Sequence, residues 1–181
     1  MFSADPKTLQ RVAPRIQRVL VIDPVPGASR LLGELMKEMG SRMVMVATRT
    51  EQALAMCKDL DPHLITVEFA GPDLDGLEFT KRLRRSALPC RQAPVIMVTA
   101  EATASSIVGA RNSGVHEFLR KPYTAGDLYR RVENVTLKPR PWIEAVMYVG
   151  PDRRRFNSGE FSGAKKRRSD AYKPAFAEKA S

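Results

Sequence analysis

Four polar side chains follow four short apolar runs of the sequence, and together they could form a binding site. They are Asp23, Glu68, Thr99 and Lys121. Two carboxylates, a hydroxyl and an ammonium group can make charge-assisted hydrogen bonds with one another or with a ligand. A single acid placed by chance would not produce this set. Whether the four residues form one site depends on the strands and helices that position them.

The apolar runs that precede these residues have the length and composition of buried parallel strands. Segments with apolar residues at helical spacing alternate with them, and the connections are short. The predicted strands are Arg18–Asp23, Arg42–Ala47, His63–Glu68, Pro94–Thr99 and Val115–Arg120, and the predicted helices are Pro26–Met39, Thr50–Asp59, Asp75–Arg85, Thr103–Asn112 and Thr124–Val135.

Five strand–helix units predict an α/β fold, a doubly wound five-stranded parallel sheet with helices on both faces. Sites in such sheets form beyond the carboxyl ends of the strands. The pattern therefore predicts that Asp23, Glu68, Thr99 and Lys121 lie at one edge of the sheet.

With these strand ends placed, residues 18–137 resemble the receiver domain of two-component response regulators, a flavodoxin-like fold. The resemblance rests on VLVID, on PHLITVEFAGPDLDG with its Pro72, Asp75 and Gly76, on VIMVTA and on EFLRKPY. These motifs are specific in combination, and any one of them alone would be weak.

The resemblance implies a role for each strand-end residue. In that family, two acids after the first strand help to hold Mg²⁺, and an Asp after the third strand accepts a phosphoryl group. Here Asp23 keeps one acid, Pro24 replaces its neighbour, and Glu68 stands at the phosphoacceptor position. Two further residues, Thr99 and Lys121, match the family's phosphoryl-binding pair, and Phe118 occupies the place of its switch aromatic.

These departures predict weakened or lost Mg²⁺ binding and no ordinary Asp phosphorylation. Magnesium demands near-octahedral oxygen ligation, and misplacing a reacting group by about 1 Å can cost ~100-fold in rate. Glu68 could instead bind Lys121, either imitating the phosphorylated state or closing a vestigial site as a structural ion pair. Asp73 and Asp75 are possible substitute acceptors, although Asp-Gly is also a turn signal.

The composition predicts a cytoplasmic protein without a membrane span, because no apolar run approaches the ~20 residues that a span needs and the N-terminus lacks a signal-peptide pattern. Cys57 and Cys90 are far apart in sequence, and a disulfide is not expected in a reducing compartment. Cys57 is predicted to be a core residue, and His63 and His116 to be structural or at the surface.

The net charge of +10 is concentrated towards the C-terminus, where residues 138–181 carry eleven Lys or Arg and five Asp or Glu. We expect an N-terminal arm over 1–17, the receiver-like domain over 18–137, a Pro- and Arg-containing extension over 138–156 that docks through its apolar residues, and a basic disordered tail over 157–181. The candidate anion-binding residues are Arg153, Arg154, Arg155, Lys165, Lys166, Arg167 and Arg168.

Three functions follow from these patterns. The leading one is a non-enzymatic, stand-alone signalling module that binds a protein, either in a histidine kinase pathway or in a motor or regulatory complex. The second is an effector whose arginine-rich tail binds cyclic di-GMP or another anion. The third is a conventional phosphorylated response regulator. Nucleic acid binding is not favoured, because no helix-turn-helix follows the domain.

Overall fold

The computed structural model describes residues 5–154. The strands are β1 (Arg18–Ile22), β2 (Met43–Ala47), β3 (Leu64–Val67), β4 (Ala70–Gly71), β5 (Leu74–Asp75), β6 (Val95–Thr99), β7 (Glu117–Arg120), β8 (Trp142–Ala145) and β9 (Tyr148–Pro151). Five of them form one parallel sheet in the order β2-β1-β3-β6-β7, and β4-β5 and β8-β9 are separate antiparallel pairs. The predicted doubly wound sheet is confirmed.

Six α-helices and two short 3-10 helices connect and cover these strands. They are α1 (Pro6–Val12), α2 (Pro26–Glu38), α3 (Thr50–Leu60), α4 (Gly76–Arg85), α5 (Ala104–Ser113) and α6 (Ala125–Leu137), with 3-10 helices at Ala13–Arg15 and Pro89–Gln92. Local chemistry sets several ends: Thr124 and Asp127 form a capping box at the start of α6, and Gly114 ends α5 with a left-handed φ of 95°. Among the described residues, no helix is long and apolar enough to cross a membrane.

Successive side chains along each strand point to opposite faces of the sheet and contribute to two hydrophobic clusters, one on each face. Leu20 and Ile65 point into the cluster that α3, α4 and α5 cover. Val19 and Leu64 point into the cluster that α1, α2 and α6 cover. The N-terminal arm is part of this second cluster, because Val12 is fully buried there.

The extension after α6 forms the β8-β9 hairpin, which packs against α4 and α5. Gly150 lies so close to Gly114, at the end of α5, that a Cβ added to Gly150 would be 2.9 Å from the Gly114 Cα. Tyr148 is buried, and its hydroxyl donates a hydrogen bond to the Pro151 carbonyl at 2.6 Å. The hairpin therefore meets the domain through a close backbone contact that side chains at these two positions would block.

Arg84 is the largest fully buried side chain of the described residues, with 1 % of its surface exposed. Its guanidinium donates hydrogen bonds to the carbonyls of Gly114 (3.0 Å), Arg91 (2.6 Å) and Ala93 (2.9 Å). Trp142 of the hairpin lies over this group, 5.4 Å from the ring centroid. One cation thus joins α4, the end of α5, the Pro89–Gln92 turn and the extension.

His116 completes the surroundings of Arg84. Its Nδ1 accepts hydrogen bonds from Arg84 Nη2 and from the Val95 amide, both at 3.2 Å. Burial lowers the pKa of His116 well below its usual value, and the charges of Arg84 and Arg140 lower it further. This histidine is a neutral structural acceptor, because an imidazolium has no lone pair to offer two donors.

Replacing Arg84 with Met should lower the free energy of unfolding by about 3 kcal/mol, because three buried carbonyls and an imidazole nitrogen lose their donor. Arg82→Met is the matched control on the same helix. Arg82 is exposed and pairs with Glu51 at the surface, so its loss should lower the free energy of unfolding far less than the loss of Arg84 does. Urea unfolding measures both, and equal effects would contradict the structural role of Arg84.

Candidate functional site

Asp23, Glu68, Thr99 and Lys121 lie at the carboxyl edge of the sheet because each sits at or just beyond the end of a strand, and the side chains of Asp23, Glu68 and Lys121 meet there. Backbone hydrogen bonds extend the ladders past the strand ends, from the Asp23 amide to the Ala47 carbonyl (3.1 Å), from Glu68 to Ile22 (2.8 Å) and from Lys121 to Thr99 (2.8 Å). These bonds fix the backbones of three site residues, as the strand pattern predicts.

The ammonium group of Lys121 is the centre of the site. Its Nζ lies 2.7 Å from Asp23 Oδ2 and 2.7 Å from Glu68 Oε2. The Asp23 side chain is 1 % exposed and the Glu68 side chain 12 %. Short charge-assisted hydrogen bonds in such a setting are strong, so one cation holds the ends of β1, β3 and β7 together.

The remaining carboxylate oxygens also have donors. Asp23 Oδ1 accepts from the Val25 amide at 2.8 Å, and Glu68 Oε1 accepts from the Phe69 amide at 2.7 Å. No group of three or more His, Cys, Asp or Glu in residues 5–154 could hold a metal ion. In this arrangement every carboxylate oxygen of Asp23 and Glu68 is hydrogen-bonded, and the ammonium group lies between the two carboxylates. Weakened or lost Mg²⁺ binding stays a prediction.

The two carboxylates also shift the titration of the lysine. Burial lowers the pKa of Lys121, but the hydrogen bonds to Asp23 and Glu68 outweigh burial and raise it above the ordinary lysine value of 10.5. The ammonium form is thus the stable form throughout the physiological range.

The loop after β3 shields the site. The Pro24 ring lies against Gly71 of β4, where an added Cβ would be 2.5 Å from Pro24 Cγ. Gly76 is required at the start of α4, because its Cβ would lie 2.2 Å from the Glu68 carbonyl oxygen. Pro72 is exposed in the β4-β5 turn. The loop therefore packs against the Glu68 backbone through Gly76 and against Pro24 through Gly71.

The candidate substitute acceptors have structural roles. Asp75 is the N-cap of α4, and its Oδ1 accepts from the Glu78 amide at 2.9 Å. Asp73 adopts a left-handed φ of 54° in the turn, and its carbonyl accepts from the Thr50 amide at 3.0 Å. Both arrangements are turn and cap chemistry.

Thr99 ends β6, the strand next to β3, and Phe118 lies on β7, the edge strand beside β6. Thr99 is buried, and its Oγ1 accepts from the Glu101 amide at 3.1 Å, which directs the hydroxyl to the loop after β6. Phe118 is half-buried and packs on the cluster beneath α5. The structure brings both residues to this side of the sheet, and their roles as switch residues remain predictions.

Two of the candidate anion-binding arginines, Arg153 and Arg154, fall within the described residues. Arg153 stacks on Tyr148, 4.5 Å from the ring centroid, and donates to Asn112 Oδ1 at 3.0 Å. Arg154 is exposed. Cyclic dinucleotide binding by these residues stays a prediction, and its other candidates lie outside the described residues: Arg155, Lys165, Lys166, Arg167 and Arg168.

Sequence reasoning missed a groove of about 370 Å³ between α5 and α6, on the β7 side. Arg111 and Glu117 line it. Arg131 and Arg140 line it as well, and Arg131 pairs with Glu117 at 3.4 Å. Arg140 could not be assigned to the groove because it belongs to the extension, whose path no local pattern indicates.

The fold and the strand-end site define a receiver-type α/β domain. The family model described as response regulator receiver domain matches residues 19–133. The chain therefore belongs to the response regulator receiver family.

Related proteins are consistent with this assignment. The chain is 24% identical over 127 residues to the chemotaxis protein CheY-3 of Vibrio cholerae, covering 70% of this chain and 97% of that protein. It is 28% identical over 134 residues to a protein-glutamate methylesterase/protein-glutamine glutaminase of Trichodesmium erythraeum, covering 72% of this chain and 37% of that protein.

Solved structures show the same fold. CheY4 of Vibrio cholerae superposes with a TM-score of 0.62 at 22% identity, over 66% of this chain and 98% of that one. A two-component response regulator of Clostridium difficile gives 0.61 at 25% identity, over 67% and 97%.

Replacing Lys121 with Met should lower the free energy of unfolding at neutral pH by about 3 kcal/mol, because two adjacent carboxylates lose their shared counter-charge. Lys58→Met, at an exposed position of α3, is the control and should change stability by less than about 0.5 kcal/mol. Chemical unfolding followed by circular dichroism measures both.

The pH dependence provides a second readout for the same pair of proteins. Because the folded-state pKa of Lys121 is raised, its contribution is fully present below the unfolded value of 10.5 and is lost as pH rises through the folded value. The stability difference between the natural chain and Lys121→Met should narrow only above about pH 10.5. A difference that narrows between about pH 7 and pH 9 would contradict the shared ion pair.

Proposed function

We propose that this receiver domain signals by binding a protein and does so without Asp phosphorylation. The observation that carries the proposal is the Lys121 ammonium, 2.7 Å from both Asp23 and Glu68. A conventional receiver needs this lysine for an incoming phosphoryl group, whereas here two resident carboxylates occupy it. The domain then acts by binding rather than by catalysis, and we expect it to act in the cytoplasm.

The substituted residues support the same conclusion. Glu68 is longer than Asp by one methylene, which moves its oxygens from the position that an in-line attack requires. Pro24 offers no oxygen to a metal and packs on Gly71 instead. Mg²⁺ binding is lost in this proposal because one carboxylate is absent and the others are hydrogen-bonded to Lys121 and to backbone amides.

The Glu68–Lys121 contact holds the site in one arrangement. An ion pair that joins β3 to β7 needs no phosphoryl group to form, so the domain presents one surface to its partner continuously. Thr99 lies outside this contact, because its Oγ1 accepts a hydrogen bond from the Glu101 amide instead. We therefore propose a constitutive binding module rather than a domain that switches with phosphorylation.

The groove between α5 and α6 is the surface we assign to the partner. It combines apolar Ile107 and Phe118 with basic Arg111, Arg131 and Arg140, and Ile107 is 45 % exposed. Exposed apolar side chains within a basic rim favour a protein segment that carries both acidic and apolar residues. A component of a histidine kinase pathway or of a motor or regulatory complex would meet this description.

Phosphorylation is tested by incubating the protein with acetyl phosphate and Mg²⁺ and measuring its intact mass. The natural chain should gain no phosphoryl group, whereas the double variant Pro24→Asp, Glu68→Asp should gain one, because it restores an acid pair and the shorter acceptor. Each single variant is a control that shows which substitution abolishes the reaction. A gain in the natural chain would refute the proposal, and peptide mapping would then locate the modified residue.

The partner surface can be tested in cells with a photocrosslinking amino acid at Ile107, compared with the same amino acid at Lys58, an exposed position of α3 outside the groove. Crosslinks to a protein should form at Ile107 and not at Lys58. Adding Arg111→Glu to the protein that carries the photocrosslinking amino acid at position 107 should reduce the yield of these crosslinks several-fold, because it reverses one charge of the rim. Equal crosslinking at both positions would exclude the groove as the specific surface.

A further inference from the structure

Cys57 and Cys90 are separated by 33 residues in sequence and come together in the fold. Cys57 lies in the last turn of α3 and is fully buried, and Cys90 lies in the Pro89–Gln92 3-10 helix with 4 % exposure. The Cys90 thiol donates a hydrogen bond to the Cys57 carbonyl with 3.5 Å between Sγ and O. The 3-10 helix that carries Cys90 packs against α3, which carries Cys57.

The two thiols differ in acidity. The hydrogen bond that Cys57 donates lowers the pKa of Cys90 and is its largest influence, although burial opposes it. The same hydrogen bond, together with burial, raises the pKa of Cys57. Of the two thiols, Cys90 is therefore the one whose thiolate is favoured.

A surface cavity gives a small molecule access to Cys90. Its volume is about 410 Å³, and Cys90 lines it together with Arg15, Asp61, His63 and Pro89. Cys57 does not line this cavity and lies behind Cys90 in the core cluster. An oxidant that enters the cavity would meet Cys90 first.

We propose that Cys57 and Cys90 form a reversible intrachain disulfide, with a hydroperoxide as the oxidant. The Cys90 thiolate attacks the terminal oxygen of the peroxide, the O–O bond breaks, and Cys90 becomes a sulfenic acid with release of the alkoxide, which is hydroxide when the oxidant is hydrogen peroxide. The Cys57 sulfur then attacks the Cys90 sulfur, and the S–O bond breaks. The leaving hydroxide takes up the Cys57 proton as water, so the two sulfurs supply both electrons that reduce the peroxide.

The disulfide would connect α3 to the turn that supports Arg84. The Arg91 and Ala93 carbonyls of this turn accept hydrogen bonds from Arg84, so the covalent bond would fix one wall of the Arg84 site. It would also close a long loop and reduce the entropy of the unfolded chain. From loop-closure entropy we expect the melting temperature to rise by roughly 5–10 °C.

The experiment exposes the folded, full-length chain to a small excess of hydrogen peroxide, blocks free thiols and measures intact mass without reductant. The natural chain should lose two hydrogens, yield a Cys57–Cys90 linked peptide and return to its starting mass with dithiothreitol. In Cys57→Ser, a sulfenic-acid probe should label Cys90. In Cys90→Ser, labelling of Cys57 should be at least about tenfold slower, because its thiol is fully buried and lies away from the cavity.

Three outcomes would overturn the proposal. They are oxygen addition to the natural chain without loss of hydrogens, a disulfide that joins two chains only, and reaction that requires denaturant. The measurement on the natural chain does not depend on the folding of either variant. It is also independent of the phosphorylation assay, so the two proposals can fail separately.

Discussion

The contact of one ammonium group with two carboxylates determines the character of this receiver domain. Lys121 joins strand ends that are distant in sequence, with 2.7 Å to Asp23 and to Glu68. Breaking such a partly buried contact would leave carboxylates without a counter-charge, which is costly. The receiver fold therefore keeps Lys121 in direct contact with Asp23 and Glu68 at the carboxyl edge of its sheet.

A second cation organises the opposite end of the sheet by different means. Arg84 is surrounded by backbone carbonyls and His116, and Trp142 covers it. The arginine does not need a carboxylate, since carbonyl oxygens and an aromatic face satisfy its fork of donors. The extension therefore covers the Arg84 guanidinium, which would otherwise lie closer to solvent.

The sequence predicts the sheet well because each strand is a short apolar run bounded by turn residues and a helical pattern. It also brings Glu68 and Lys121 to one edge, since parallel strands end on the same side. It does not indicate that Asp23 shares the lysine, that Arg84 is buried in a helix end reading RLRR, or that Cys57 meets Cys90. These features depend on contacts between distant segments, and so does the β8-β9 hairpin, whose position requires the approach of Gly150 to Gly114.

That approach has a consequence for communication across the molecule. Gly114 is the last residue of the α5 turn, and the Gly150 backbone rests on it without intervening side chains. A displacement of the end of α5 must therefore also displace the extension, which makes the two positions a thermodynamically linked pair. A ligand that prefers one position of the extension would select the matching position of α5, and by reciprocity a partner in the α5–α6 groove would change the affinity of the extension for that ligand.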